Sequence, residues 1–124
     1  MTKTQALQKF FSSFGLTAYQ EDSVPNGADA PGFPYLTYTV ATDSIGNDVP
    51  LNMDIWYRGS SWSPANNKVD EISRSIGSGV FLPCDGGSIW IKKGSPFAQS
   101  MGDPADDLIK RKYINLTAEY LTAD

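Results

Sequence analysis

The sequence predicts an α+β fold: an antiparallel β-sheet with two α-helices packed on one face, in the order α-β-β-α-β-β-β. Three observations carry this. Two segments repeat apolar residues at the three-and-four spacing of a helix, and three others alternate apolar with polar residues as half-buried strands do. A further pair of short segments flanks Asp85-Gly86, a dipeptide that favours a hairpin turn.

The first helix is expected over residues 3–14, where Leu7, Phe10, Phe11 and Phe14 form one stripe and Gly15 supplies a stop. A Pro/Gly/Asp-rich loop from Glu21 to Gly32 follows. The first strand sets Leu36, Tyr38 and Val40 against Tyr35, Thr37 and Thr39. The second sets Leu51, Met53, Ile55 and Tyr57 against Asn52, Asp54, Trp56 and Arg58, after a turn containing Gly46-Asn47. Ser63-Pro64 reads as a capped helix start, and Val69, Ile72 and Ile76 give that helix its apolar stripe until Gly77 and Gly79. Val80 to Cys84 and Ser88 to Lys92 form the expected hairpin. A last strand spans Leu108 to Leu121, with Ile114, Leu116, Ala118 and Tyr120 on one side.

Two features point outward from this frame. If the aliphatic faces meet the helices, the opposite face carries Tyr35, Trp56, Trp90 and Tyr113 among polar residues, a mixture enriched at interfaces. The alternative is a solvated face with scattered aromatics. Between Lys93 and Asp107 no regular pattern is visible, so a long loop holding Phe97 and Met101 is expected there. Loops of that length are commonly functional, and these two side chains suit a docking element for another subunit. Phe97 turned back on its own core is the other reading.

Composition bounds the function. The chain has 124 residues, one domain's worth (1–124), enough for one modest core. Its net charge of −4 does not favour nonspecific binding of nucleic acid or anionic membrane. One cysteine, Cys84, rules out an internal disulfide and fits a reducing compartment. Neither a signal peptide nor a stretch of about 20 apolar residues is apparent, so a chain made in the cytoplasm and free of membranes is expected.

No catalytic constellation emerges. Cys84 has no histidine in the chain to activate it. Asp103, Asp106 and Asp107 lack the spacing of a calcium loop and read better as partners of Lys110 and Arg111. No zinc ligand set exists, Gly77-Ser78-Gly79 follows a helix rather than a strand, and no carboxylate pair stands out as a glycosidase couple. An enzyme, a metal site and a cofactor are therefore not expected.

Three segments carry a family resemblance: LNMDIWYRGSSW (Leu51–Trp62), PCDGGSIWIKK (Pro83–Lys93) and PFAQSMGDPADDLIKRKYINLTAEYLTAD (Pro96–Asp124). They resemble small minor tail or neck proteins of tailed bacteriophages and prophages of Gram-positive bacteria, in particular the tail terminator, or tail completion, family. The same motifs also suit head–tail connector and other neck proteins. The resemblance implies a structural virion protein of the tail and neck. It would form a homo-oligomeric ring, commonly a hexamer, that ends polymerisation of the tail tube and meets head–tail connector proteins. DNA would pass its hole without sequence-specific contact, which a mildly acidic lining would favour. Ring closure needs two unlike patches. Phe97 and Met101, with Asp103, Asp106 and Arg111 nearby, are the candidates for one, and Trp56 and Trp90 for the other. A rival reading is a monomeric glycan-binding module that stacks sugars on Tyr35, Trp56, Trp90 and Tyr113.

Overall fold

A computed structural model describes every residue from Met1 to Asp124. A reciprocal cap starts the chain: the Gln5 N–H donates to Thr2 Oγ1 (3.1 Å) while the Thr2 N–H donates to Gln5 Oε1 (2.9 Å). Helix α1 (Lys3–Phe11) tightens into a 3-10 turn at Ser12–Phe14 and stops at Gly15, whose φ of 80° is left-handed. The strands are β1 (Ala18–Gln20), β2 (Tyr35–Tyr38), β3 (Asp48–Arg58), β4 (Val80–Cys84), β5 (Gly87–Met101) and β6 (Ile109–Thr122). Helix α2 (Ser63–Ile76) lies between β3 and β4. Its cap is Trp62, not Ser63, and Ser63 is already helical.

The predicted antiparallel sheet with two helices on one face is overturned. Strand accounts for 42% of the chain and helix for 23%, and six strands in the order β1-β2-β3-β6-β5-β4 form one mixed, half-barrel sheet. Element order also differs. The extra strand β1 runs parallel to β2, with Ala18 opposite Leu36 and Gln20 opposite Tyr38. Parallel neighbours need a crossover of a dozen or more residues, which accounts for the long segment 21–34 between them. Nor do the helices form a layer. Helix α1 lies beside the edge strand β4, whereas α2 crosses β3, β5 and β6.

The expected long loop is also largely absent, because β5 continues to Met101 opposite β6. The pairing is interrupted once. Residues 94–97 stand opposite Asn115 alone, between the pairs Lys93–Leu116 and Ala98–Ile114. Asn115 fills the bulge, its Nδ2 donating to the Pro96 carbonyl at 2.8 Å. Gly94 packs so closely that a Cβ there would sit 2.9 Å from the Asn115 Cβ. Only residues 102–108 remain as a connection between β5 and β6.

One core of 20 buried residues joins all of this. It includes Leu7, Phe10 and Phe11 from α1, Ile72 and Ile76 from α2, and Met53, Ile55, Ile89, Ile91, Ile114 and Tyr120 from the sheet. Phe11 stacks on Tyr38 with centroids 4.4 Å apart. The opposite face of the sheet is left to polar and aromatic side chains.

Candidate interaction surface

The ladder registers place four residues in one row across the outer face. Tyr35 pairs with Trp56, Trp56 with Arg111, and Arg111 with Met101. The Tyr35 and Trp56 rings are nearly parallel (8°) with centroids 5.9 Å apart, and the Arg111 guanidinium carbon lies 4.9 Å from the Trp56 centroid. Trp56 is thus flanked on both sides. Its Nε1–H donates to Thr37 Oγ1 at 2.9 Å, fixing the ring. Arg111 Nε donates in turn to Asp54 Oδ1 at 2.8 Å. Burial raises the Asp54 carboxyl above its usual pKa, and the Arg111 hydrogen bond and charge offset part of that.

Further aromatics extend the row. Tyr35 meets Tyr19 edge-on at 6.3 Å and Phe33 at 5.4 Å, and Phe33 remains 40% exposed. At the other end Met101 is 39% exposed. Asp106 joins through Arg58, whose Nε donates to its Oδ2 at 3.0 Å. The Leu108 N–H, with Arg58 second, holds the Asp106 carboxyl below its ordinary range. Asp103 only caps its own turn, accepting from the Ala105 N–H at 2.8 Å.

So Trp56, Arg111, Met101 and Asp106 come together. Two other expected residues do not. Phe97 is half-buried in the bulge and packs against the core. Trp90 pairs with Glu119, eight residues from Arg111 along β6 and so about 27 Å away. There it forms a second patch, stacked on Phe81 at 5.4 Å, with Lys92 Nζ 4.3 Å above its ring. Lys92 lies 3.5 Å from both Asp48 and Glu119. Gly79 makes room for the indole: at φ 143°, a Cβ there would fall 2.3 Å from Trp90 Nε1. Phe81, on the edge strand, is 59% exposed.

Sequence reasoning missed Phe33, Tyr19 and Phe81. Phe33 hides in a Pro/Gly loop, Tyr19 in a strand too short to show alternation, and Phe81 looked like part of an apolar run. It also missed the pairing of Trp62 with Lys110 and Lys112, whose Nζ atoms lie 5.7 and 5.3 Å from the Trp62 centroid. Alternation along β6 did imply that these lysines share one face and Arg111 the other.

A cleft of about 640 Å³ opens between α1 and β4, lined by Ala6, Lys9, Phe10, Leu82, Pro83 and Cys84 among others. No group of three or more histidine, cysteine, aspartate or glutamate residues is placed to hold a metal ion. No helix is long and apolar enough to cross a membrane. The chain matches no protein-family model and no curated protein.

Proposed function

We propose that this chain is a structural protein of a phage or prophage virion. It assembles head-to-tail into a ring at the head-proximal end of the tail, ends growth of the tail tube, and contacts the tube protein on one side and head–tail connectors on the other. The observation that carries the reading is a pair of unlike, partly exposed apolar patches on one rigid half-barrel. One comprises Phe33, Tyr35, Trp56 and Met101; the other comprises Phe81 and Trp90. A closed ring requires two different surfaces on each subunit, and aromatic residues beside arginine are the side chains that dominate protein interfaces.

A monomeric sugar-binding module fits less well. A sugar needs a free aromatic face, and Trp56 has Arg111 on one side and Tyr35 on the other. The Phe81–Trp90 pair is open to the same comment, since Lys92 covers the second face of Trp90.

Light scattering on the eluting protein, followed by negative-stain imaging, tests the reading. Annular particles of uniform diameter are expected, alone or on addition of tail tubes. A chain that stays monomeric with tubes present, and whose tryptophan fluorescence responds to saccharides, would favour the module instead.

A further inference from the structure

The lysines of β6 that face away from Trp56 have no carboxylate partner. Lys110 Nζ donates to the Asp107 carbonyl, and Lys112 Nζ donates to Ser100 Oγ at 2.6 Å. Both lie over the Trp62 ring, and neither appears in any ion pair of the fold. Lys93, the residue after Lys92 on β5, is likewise without a carboxylate and lies 5.5 Å from the Phe97 centroid. These ammonium groups thus make no ion pair and bond only neutral oxygens and aromatic faces, although the charge of Lys110 is felt at Asp106.

The segment that forms the β1 edge lacks cations altogether. From Phe10 to Tyr57 the chain contains no lysine or arginine, yet it carries Glu21, Asp22, Asp29, Asp43, Asp48 and Asp54. Asp48 and Asp54 are paired within the fold, with Lys92 and Arg111. Glu21, Asp22 and Asp29 are exposed on the loop between β1 and β2 and form no ion pair, Asp22 accepting only from Ser23 Oγ at 3.3 Å. None of them forms an ion pair with a lysine of its own chain. Three strand spacings, about 14 Å, separate β1 from β6.

We propose that the Trp62–Lys110–Lys112 cluster is the docking site for the acidic Glu21–Asp29 loop of a second copy of this chain. The inference rests on the ring reading and names which surfaces meet in it. Each subunit offers an unpaired cationic cluster on its β5–β6 half and an unpaired anionic loop at its β1 edge, so each contact leaves one of each free for the next copy. That is the condition for a heterologous, closing assembly. The electrostatic match steers encounter and fixes register, while the aromatic patches supply the buried area. Nucleic acid is the competing anion. The chain's net charge of −4 opposes it, whereas the loop is carried by every copy.

Charge reversal separates the outcomes. Sedimentation velocity is to be run on the wild-type chain, on K110E/K112E, on E21K/D22K, and on an equimolar mixture of the two variants. Glu21 and Asp22 are exposed and Lys110 and Lys112 half-buried, so circular dichroism checks that each variant is folded. The wild type should assemble, less so as salt rises. Each variant alone should lose assembly by about tenfold or more in association constant, because like charges then face each other. The mixture should regain it, since both of its cross-contacts are again opposite in sign. Carbodiimide should link Lys110 or Lys112 to Glu21, Asp22 or Asp29 between copies of the wild type. Wild-type rings with variants that assemble equally well, or a mixture that stays apart, overturn the docking site and leave the ring reading standing. A wild type that never assembles, even with tail tubes, overturns both. An oligonucleotide that quenches Trp62 and is lost in K110E/K112E, with assembly unchanged, assigns the cluster to phosphate instead.

Discussion

Trp56 and Arg111 face each other across β3 and β6, the guanidinium carbon 4.9 Å from the indole centroid and its Nε bonded to Asp54 at 2.8 Å. One arginine thereby serves two partners of different kinds. It covers an aromatic face toward solvent and neutralises a carboxylate that is nearly buried.

Removing that arginine should expose the cost of burying Asp54. Arg111→Ala is expected to destabilise the fold by about 2 kcal/mol at pH 7, because the carboxylate keeps its burial and loses its cation. The sign with pH follows from the raised pKa of Asp54. A carboxyl raised on folding favours the folded state when protonated, so the deficit should shrink as pH falls toward the unfolded value near 4. Urea denaturation of both proteins at neutral pH and near pH 4.5 reads this. A deficit that does not shrink would place the damage in lost packing over Trp56.

Two buried tyrosines should respond oppositely to losing the hydroxyl. The Tyr120 hydroxyl donates to the Ala41 carbonyl, so Tyr120→Phe should cost about 1 kcal/mol. Tyr38 is 1% exposed and its hydroxyl has no hydrogen-bonding partner. Burial raises its pKa, and Gln20 opposite on β1 offsets only part of that, without bonding geometry. Tyr38→Phe should therefore be neutral or stabilising. Equal losses in thermal melts of the two variants would contradict the assignment.

Alkaline titration gives an independent reading of Tyr120. Burial first, then the nearby charges of Cys84 and Asp43, push its hydroxyl up to about 12. A group whose pKa is raised on folding stabilises the fold below its unfolded value and stops doing so as pH climbs through the folded one. Stability should thus decline from about pH 10 to about pH 12, and Tyr120→Phe should flatten that decline. Tyrosinate absorbance near 295 nm should show this tyrosine ionising late, together with unfolding.

Phe97 and Met101 were expected to act together, and the structure separates their effects. Phe97→Ser should destabilise the monomer by roughly 1–3 kcal/mol, since it removes a half-buried side chain from the core. Met101→Ser combined with Phe33→Ser should leave the melting temperature nearly unchanged and weaken assembly, because both are exposed at the ends of one row. Particles of wild-type size and yield from that double variant would remove this row from the interface.

Gly79→Ala should be costly for its size. The new Cβ would fall onto Trp90 at a φ that favours glycine, so a loss of about 1–3 kcal/mol is expected, with altered tryptophan fluorescence.

How far the sequence was legible depended on the length of each periodic run. The helical stripes of Leu7 to Phe11 and Val69 to Ile76, and the alternation in β3 and β6, each span enough residues to state a period, and these elements lie where expected. Strand β1 has three residues, too few to alternate visibly, and without it neither the parallel pair nor the curled six-stranded sheet could be foreseen. Strand β5 failed differently. Its first half alternates with Ile89 and Ile91 inward, but Gly94 to Phe97 interrupts the pattern and its second half then reads as irregular. The Trp56–Arg111 contact was out of reach for a third reason. Both residues were singled out, but which strands are neighbours decides whether they meet, and strand order is long-range information.

That interruption in β5 governs more than local shape. Before it, odd-numbered residues point inward; after it, Ala98 does so and Met101 looks out. Four residues set against one act as an odd-count spacer that inverts the parity of everything downstream. Insertions or deletions of two residues in this stretch should therefore be tolerated far better than single ones, which would swap Met101 and Gln99 for Ala98 and Ser100 on the outer face.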